Sequence, residues 1–219
     1  MTTFPNSPRV VKGGIVLLDP DTGHVRRIIS LQYNSDTLSR TLQVQAVKEG
    51  AGQRAEPLRL IGPAVESIRL EAEIDATDQL EFPDDNPNVV AHGIFPQLAA
   101  LETLVYPASA ALQANNALAA AGTLEIAPLE QPLSLFIWSR NRILPVRVTD
   151  FSITEEAFDP ALNPIRAKVS LSLRVLSIDD VGFAHRAGGL FMSYLQTKEQ
   201  LAAKAPRGAL GALGVEALP

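Results

Sequence analysis

Two stretches of the chain alternate apolar and polar residues with a period of two. Ile68, Leu70, Ala72 and Ile74 interleave with Ser67, Arg69, Glu71, Glu73 and Asp75. Ile165, Ala167, Val169, Leu171, Leu173 and Val175 interleave with Arg166, Lys168, Ser170, Ser172 and Arg174. Successive side chains of a strand point to opposite faces, so each stretch predicts a strand with one buried and one polar face. The second strand is the return limb of a hairpin over residues 143–178. In the outgoing limb Val146 and Val148 share one phase while Phe151 and Ile153 share the other, which predicts a β-bulge near Asp150. Residues 154–164, polar and carrying Pro160 and Pro164, read as the connecting loop.

The remaining pattern supplies shorter elements. Residues 9–19 read as a strand in which Gly13-Gly14 mark a bulge or a close backbone approach, and residues 19–23 read as a type I turn leading to a strand over 25–33. Tyr33-Asn34-Ser35-Asp36 interrupts that strand with turn formers, and an extended pattern resumes over 38–47. Residues 48–57 have no periodicity and predict an exposed loop, and the proline-rich acidic stretch within 78–90 predicts another. Helical spacing follows. Phe95, Leu98, Leu101, Leu104 and Val105 fall on one stripe, and residues 109–121 form a second, alanine-rich helix ending at Gly122. Residues 133–138 are apolar on both faces, predicting a strand that is doubly covered or lies in an interface. Leu190, Phe191, Tyr194, Leu195 and Leu201 give an amphipathic helix over 189–204. The sum is a mainly β fold with helical insertions, an antiparallel barrel or sandwich plus a C-terminal amphipathic helix. The chain divides into an arm (1–8), a β domain (9–186), the helix (187–205) and a Gly/Ala-rich tail (206–219).

Composition narrows the function. With 46% hydrophobic residues in 219, the chain can bury a sizeable core, and the absence of cysteine removes disulfides and thiolate chemistry. A net charge of −5 argues against general nucleic-acid binding, which needs a basic surface. The first residues lack a signal-peptide core and no apolar run reaches membrane-spanning length, so no signal peptide and no direct membrane insertion are expected. No serine elbow, metal-binding helix or phosphate cradle accompanies the three histidines. Glu155, Glu156 and Asp159 offer carboxylates for a hydrolase, but one tryptophan and three tyrosines leave few rings for sugar stacking. A monomeric barrel holding a small apolar ligand would line its pocket with Phe136, Trp138 and Phe151. Glu71, Glu73 and Asp75 on one strand and Arg166, Lys168 and Arg174 on another could pair within a sheet or across subunits.

Three segments carry a family resemblance: Tyr33-Asn34-Ser35-Asp36; residues 48–57 leading to Glu71-Ala72-Glu73-Ile74-Asp75-Ala76-Thr77-Asp78; and Glu155-Glu156-Ala157-Phe158-Asp159-Pro160 with Asn163-Pro164-Ile165-Arg166-Ala167. In these the chain resembles the tube-related baseplate proteins of contractile injection systems, phage-tail-like particles that drive an inner tube through a target membrane. The resemblance spans about residues 8–183 and is most specific in the last segment. It implies a tail-tube-like β-barrel and a homo-hexameric ring that adapts the trimeric spike hub to the inner-tube proteins and initiates the tube. Assembly would be cytoplasmic, within the particle. The resemblance brings no catalytic residue, metal or cofactor. The peptidoglycan-binding module that often follows in relatives has no counterpart after Phe183. An alternative is the main inner-tube subunit. Residues 48–57 and 154–164, the latter with Glu155, Glu156, Phe158 and Asp159, are the expected interlayer contacts. Phe191, Tyr194 and Leu195 would dock the C-terminal helix on a neighbour or close the chain's own barrel.

Overall fold

The computed structural model describes residues 11–19, 22–46, 59–122, 131–206 and 208–215. Its centre is the hairpin of β6 (Arg142–Phe158) and β7 (Pro164–Val175). The register of the pair shifts between Val148 and Asp150, where the pleat was expected to slip. The extra residue is Thr149, whose hydroxyl donates to the Ser172 carbonyl at 3.0 Å. With one residue inserted, Val146 and Val148 oppose Val175 and Leu173 while Phe151 and Ile153 oppose Leu171 and Val169. All eight therefore face the same core. The strand also outruns its expected end. Two further register shifts keep residues 155–158 paired with Pro164, Arg166 and Ala167, so the turn is only residues 159–163. Polar side chains were compatible with strand because this face of the hairpin is solvated.

Five more strands complete an antiparallel sheet in the order β2-β1-β5-β6-β7-β4-β3. β1 (Gly14–Leu18), β2 (Val25–Ser30) and β5 (Leu133–Ser139) lie on one side of β6, and β4 (Val65–Asp75) and β3 (Leu38–Gln43) lie beyond β7. β5 pairs with residues 142–146 of β6 and β7 pairs with residues 146–158, so β6 runs through both halves of the sheet. β2 and β3 are consecutive in sequence yet occupy the two outer positions. Residues 31–37 must cross between them, and about 3.3 Å per residue limits that reach. The sheet is accordingly folded over. Gln32 fastens the crossing, donating to the Asp75 carbonyl at 2.6 Å and accepting from the Asp75 N–H at 3.0 Å, as a peptide group of a neighbouring strand would. Asn34 holds the other side, accepting from the Gly13 N–H at 2.8 Å and donating to the Val11 carbonyl at 2.9 Å.

The inner faces of both halves share one core, in which Ile68, Leu70, Val169, Leu171 and Leu173 meet Ile15, Leu17, Phe136, Leu144 and Val146. Burying each of the larger aliphatic side chains contributes about 1.5–3 kcal/mol. Between β4 and β5 come α1 (Thr77–Leu80), a 3-10 turn (Pro83–Asp85), α2 (Pro87–His92), α3 (Phe95–Glu102) and α4 (Ser109–Ala120). Ile94, Leu98, Leu101 and Leu104 enter the core, whereas Phe95, expected on the same stripe, is exposed. Ile94 takes its place immediately before the helix. β5 is covered on both faces, as its composition suggested. Phe136 stacks on Trp138 at 5.8 Å on the core side, and Leu133 and Leu135 pack with Leu18 and Ala187 on the other. Gly13 and Gly14 mark a close approach: a Cβ would overlap Trp138 at the first and the Ile29 carbonyl at the second. The strand expected over 38–47 ends at Gln43, and the loop expected over 48–57 lies outside the described residues.

After α5 (Ile178–Val181), α6 (Arg186–Ala202) returns to the sheet. Phe191 and Tyr194 are buried in the chain's own core and Leu195 packs beside them. These side chains close the chain's own sheet, the second of the two roles expected of them. The helix is amphipathic as its spacing required.

Candidate assembly surface

The polar face of β4 and β7 is a cross-strand ladder. Glu71 lies opposite Ser170, Glu73 opposite Lys168 and Asp75 opposite Arg166. The acidic and basic rows are thus neighbours within one sheet. Arg166 donates to Asp75 at 2.8 Å, while Lys168 leans the other way to Glu156 of β6 at 2.8 Å. Burial pushes the Asp75 carboxyl up, but bonds from the Thr77 hydroxyl and N–H and from Arg166 outweigh it and hold the group below its ordinary value. Glu71 and Glu73 make no ion pair among the described residues.

At one end of this ladder the β6–β7 turn is held by its own hydrogen bonds. Asp159 accepts from the side chain of Asn163 at 2.8 Å and from the N–H groups of Asn163 and Ala161 at 2.8 Å each, and these bonds hold its carboxyl below the ordinary range. The turn forces Leu162 to φ +65°, a conformation leucine seldom adopts. Its side chain is 75% exposed, and Phe158 beside it is half exposed. The turn rests on the α2–α3 junction. There the Ile94 N–H donates to the Pro164 carbonyl at 2.8 Å and Gly93, at φ +56°, lies against the same carbonyl. Val90 and Phe95 on those helices are also exposed.

The opposite end is the ribbon that continues β3 and β4. Ala46 bridges to Leu60 and the Ile61 N–H donates to the Gln45 carbonyl at 2.9 Å. Leu42, Val44, Leu60 and Ile61 are exposed along it. The ten steps from Val65 to Asp75 along β4 separate the two ends by roughly 33 Å at 3.3 Å per residue. Sequence reasoning singled out Phe158 but missed Leu162, whose signal was an apolar residue inside a Pro/Asn turn.

The inner face also carries charge. Glu66 has the phase of Ile68 and Leu70 and is 3% exposed. It accepts from Arg40 at 2.7 Å and from Lys198 at 3.0 Å, with the Tyr194 hydroxyl at 3.4 Å. Lys198 also lies 4.1 Å from the Tyr194 ring centre. β3, β4 and α6 are thereby joined through one carboxylate. The phase of β4 was readable in sequence, and a glutamate in that phase demanded partners.

The side chains proposed for other chemistry are dispersed. Glu156 is committed to Lys168, Asp159 to its own turn, and Phe136 and Trp138 to each other. Phe151 lines a different cleft, beside Tyr106 and Val148. Among the described residues no group of three His, Cys, Asp or Glu could hold a metal ion. No described helix is long and apolar enough to cross a membrane.

Asp75 and Asp159 both have lowered values in the folded chain, so the unfolded chain binds protons first as pH falls. The stability they add is present above the ordinary aspartate value, about 3.9, and is lost as pH drops through their lower folded values. The expected result is a melting temperature that declines below about pH 4. Asp75→Asn should flatten that decline; an unchanged pH profile in the variant would contradict the assignment.

Comparison with models of known protein families and with curated proteins finds no match to this chain.

Proposed function

We propose that this chain is a structural, layer-forming subunit of a contractile injection system: copies join side by side into a hexameric ring, and the ring joins the spike hub to the inner tube and starts tube assembly. The observation that carries the reading is the placing of exposed apolar side chains at both ends of one sheet. Leu162 and Phe158 stand at one end, Val44, Leu60 and Ile61 at the other, and a charge-laddered face lies between them. A subunit stacked between two layers needs sticky ends and a solvated side, and dissimilar ends make a heterologous, directional contact. The outer strands support the lateral joint. Among the described residues β2 and β3 each have a strand partner on one side only, and Val25, Ile28 and Leu42 are exposed on them. In this reading the folded-over sheet corresponds to the tail-tube barrel, and the hairpin tip is read by an adjacent layer.

The test is Leu162→Asp. An aspartate tolerates the left-handed backbone better than leucine and the site is exposed, so stability should change by no more than about 0.5 kcal/mol. Incorporation into particles, measured by quantitative mass spectrometry of purified assemblies, should fall at least tenfold. Normal incorporation of the folded variant would sink the reading.

A further inference from the structure

β5 covers β6 only from Arg142 to Val146. Beyond it, β6 keeps β7 on one side and has no strand on the other among the described residues. The direction of its backbone groups follows from the neighbouring strands, since N–H and C=O alternate from side to side along a strand. Asp75 turns its groups away from β7, to Gln32, so Leu70 and Ala72 of β4 turn theirs towards Leu171 and Val169 of β7. Ser170 and Ser172 of β7 are left to pair with Ser152 and Asp150 of β6. Phe151 and Ile153 therefore turn their N–H and C=O groups to the free edge, where nothing among the described residues takes them. The two sets lie about 6.6 Å apart at 3.3 Å per residue, the repeat of an extended chain.

A cleft of about 460 Å³ runs along this edge, between β6 and the end of α3. The bulge at Thr149 keeps Phe151 and Ile153 on the core side with Val148, and these three line the cleft together with Val105. Glu102 and Asp150 line it as well, and neither makes an ion pair among the described residues, whose ion pairs lie elsewhere. Sheets normally shield a free edge with proline, lysine or a bulge. From Asp150 to Thr154 this edge has none of the three.

We propose that the free edge of β6 is a strand-accepting site and that its occupant is an extended segment of another protein in which apolar and basic residues alternate. The backbone of that segment pairs with Phe151 and Ile153, its apolar face rests on Val105 and Val148, and its cations answer the carboxylates of Glu102 and Asp150. Main-chain bonds supply affinity in such strand addition and alternate side chains supply specificity. A row of backbone groups at strand spacing is matched by a polypeptide and not by a compact small molecule. The inference stands on the edge of β6 alone and not on the layered reading above.

The probe is an acetylated and amidated peptide alternating lysine and valine over seven residues, KVKVKVK, added to the full-length protein. At saturation it should slow hydrogen exchange of the Phe151 and Ile153 amides at least tenfold. The acidic counterpart EVEVEVE should bind at least tenfold more weakly. Both measurements use the parent protein. The double variant Asp150→Asn with Glu102→Gln, at two positions that reach solvent, should weaken binding of the lysine peptide at least tenfold with its melting temperature unchanged. Exchange at Phe151 and Ile153 that the lysine peptide leaves unaltered overturns the strand-accepting site. Equal binding of the two peptides, or undiminished binding to the folded variant, overturns the basic character assigned to the occupant.

Discussion

Replacing Gly93 by alanine should cost about 3 kcal/mol or more and lower the melting temperature by roughly 6–12 °C, at the usual 2–4 °C per kcal/mol for a chain of this size. Two causes add. The residue sits at φ +56°, where a side chain costs about 1–2 kcal/mol. A Cβ built on it would also overlap the Pro164 carbonyl oxygen, which is backbone at the start of β7 and cannot swing aside. That carbonyl already accepts the 2.8 Å bond from Ile94, so moving it gives up a buried hydrogen bond, worth about 1 kcal/mol more. Thermal unfolding followed by circular dichroism checks this. A shift under about 2 °C would show that the α2–α3 junction yields more easily than its contacts suggest.

Glu66→Gln should cost about 2–3 kcal/mol and loosen α6 before the rest of the chain unfolds. The substitution keeps size and shape but leaves Arg40 and Lys198 facing a neutral amide, and breaking one side of a buried ion pair costs about 3–5 kcal/mol. The estimate is reduced because Arg40 and Lys198 are 27% and 34% exposed and regain some hydration. Hydrogen exchange resolves the location of the effect. Amides in the last turns of α6, around Lys198, should lose protection while those of β7 keep theirs. Uniform loss, or none, would contradict the role of Glu66 as the tie between sheet and helix.

How much of this was legible follows from the physics of each element. β4 and β7 announced themselves because one face of each is buried and the other solvated, and only a period of two satisfies both. The bulge at Thr149 was legible because it leaves a phase error between Val148 and Phe151. The extent of β6 was not. Residues 155–157 are polar or small, and residues 155–158 stay in the sheet because β7 offers partners from Pro164 onward, a tertiary fact that local composition does not contain. The destination of α6 was equally hidden, since an amphipathic helix fits its own core or a neighbour's. Glu66 and its partners Arg40 and Lys198 decided it. The rows of charge on β4 and β7 lie side by side within one sheet, the first of the two arrangements expected, but only Asp75 and Arg166 pair directly across it. Strand order was the largest gap. Nothing local to residues 25–43 indicates that two consecutive strands lie at opposite borders of a sheet; that follows only from what β1 and β4 each accept.

The path of β6 through both halves has a mechanical side. A pull that tries to slide one half of the sheet past the other along this strand meets a continuous covalent backbone, and residues 31–37 supply a second such tether at the far border. Hydrogen bonds can be unzipped one at a time, but a peptide bond does not yield at those forces. The described strands thus offer no plane along which the sheet can shear apart without first unravelling one of them, a property that the proposed layer-forming role would call on under axial load.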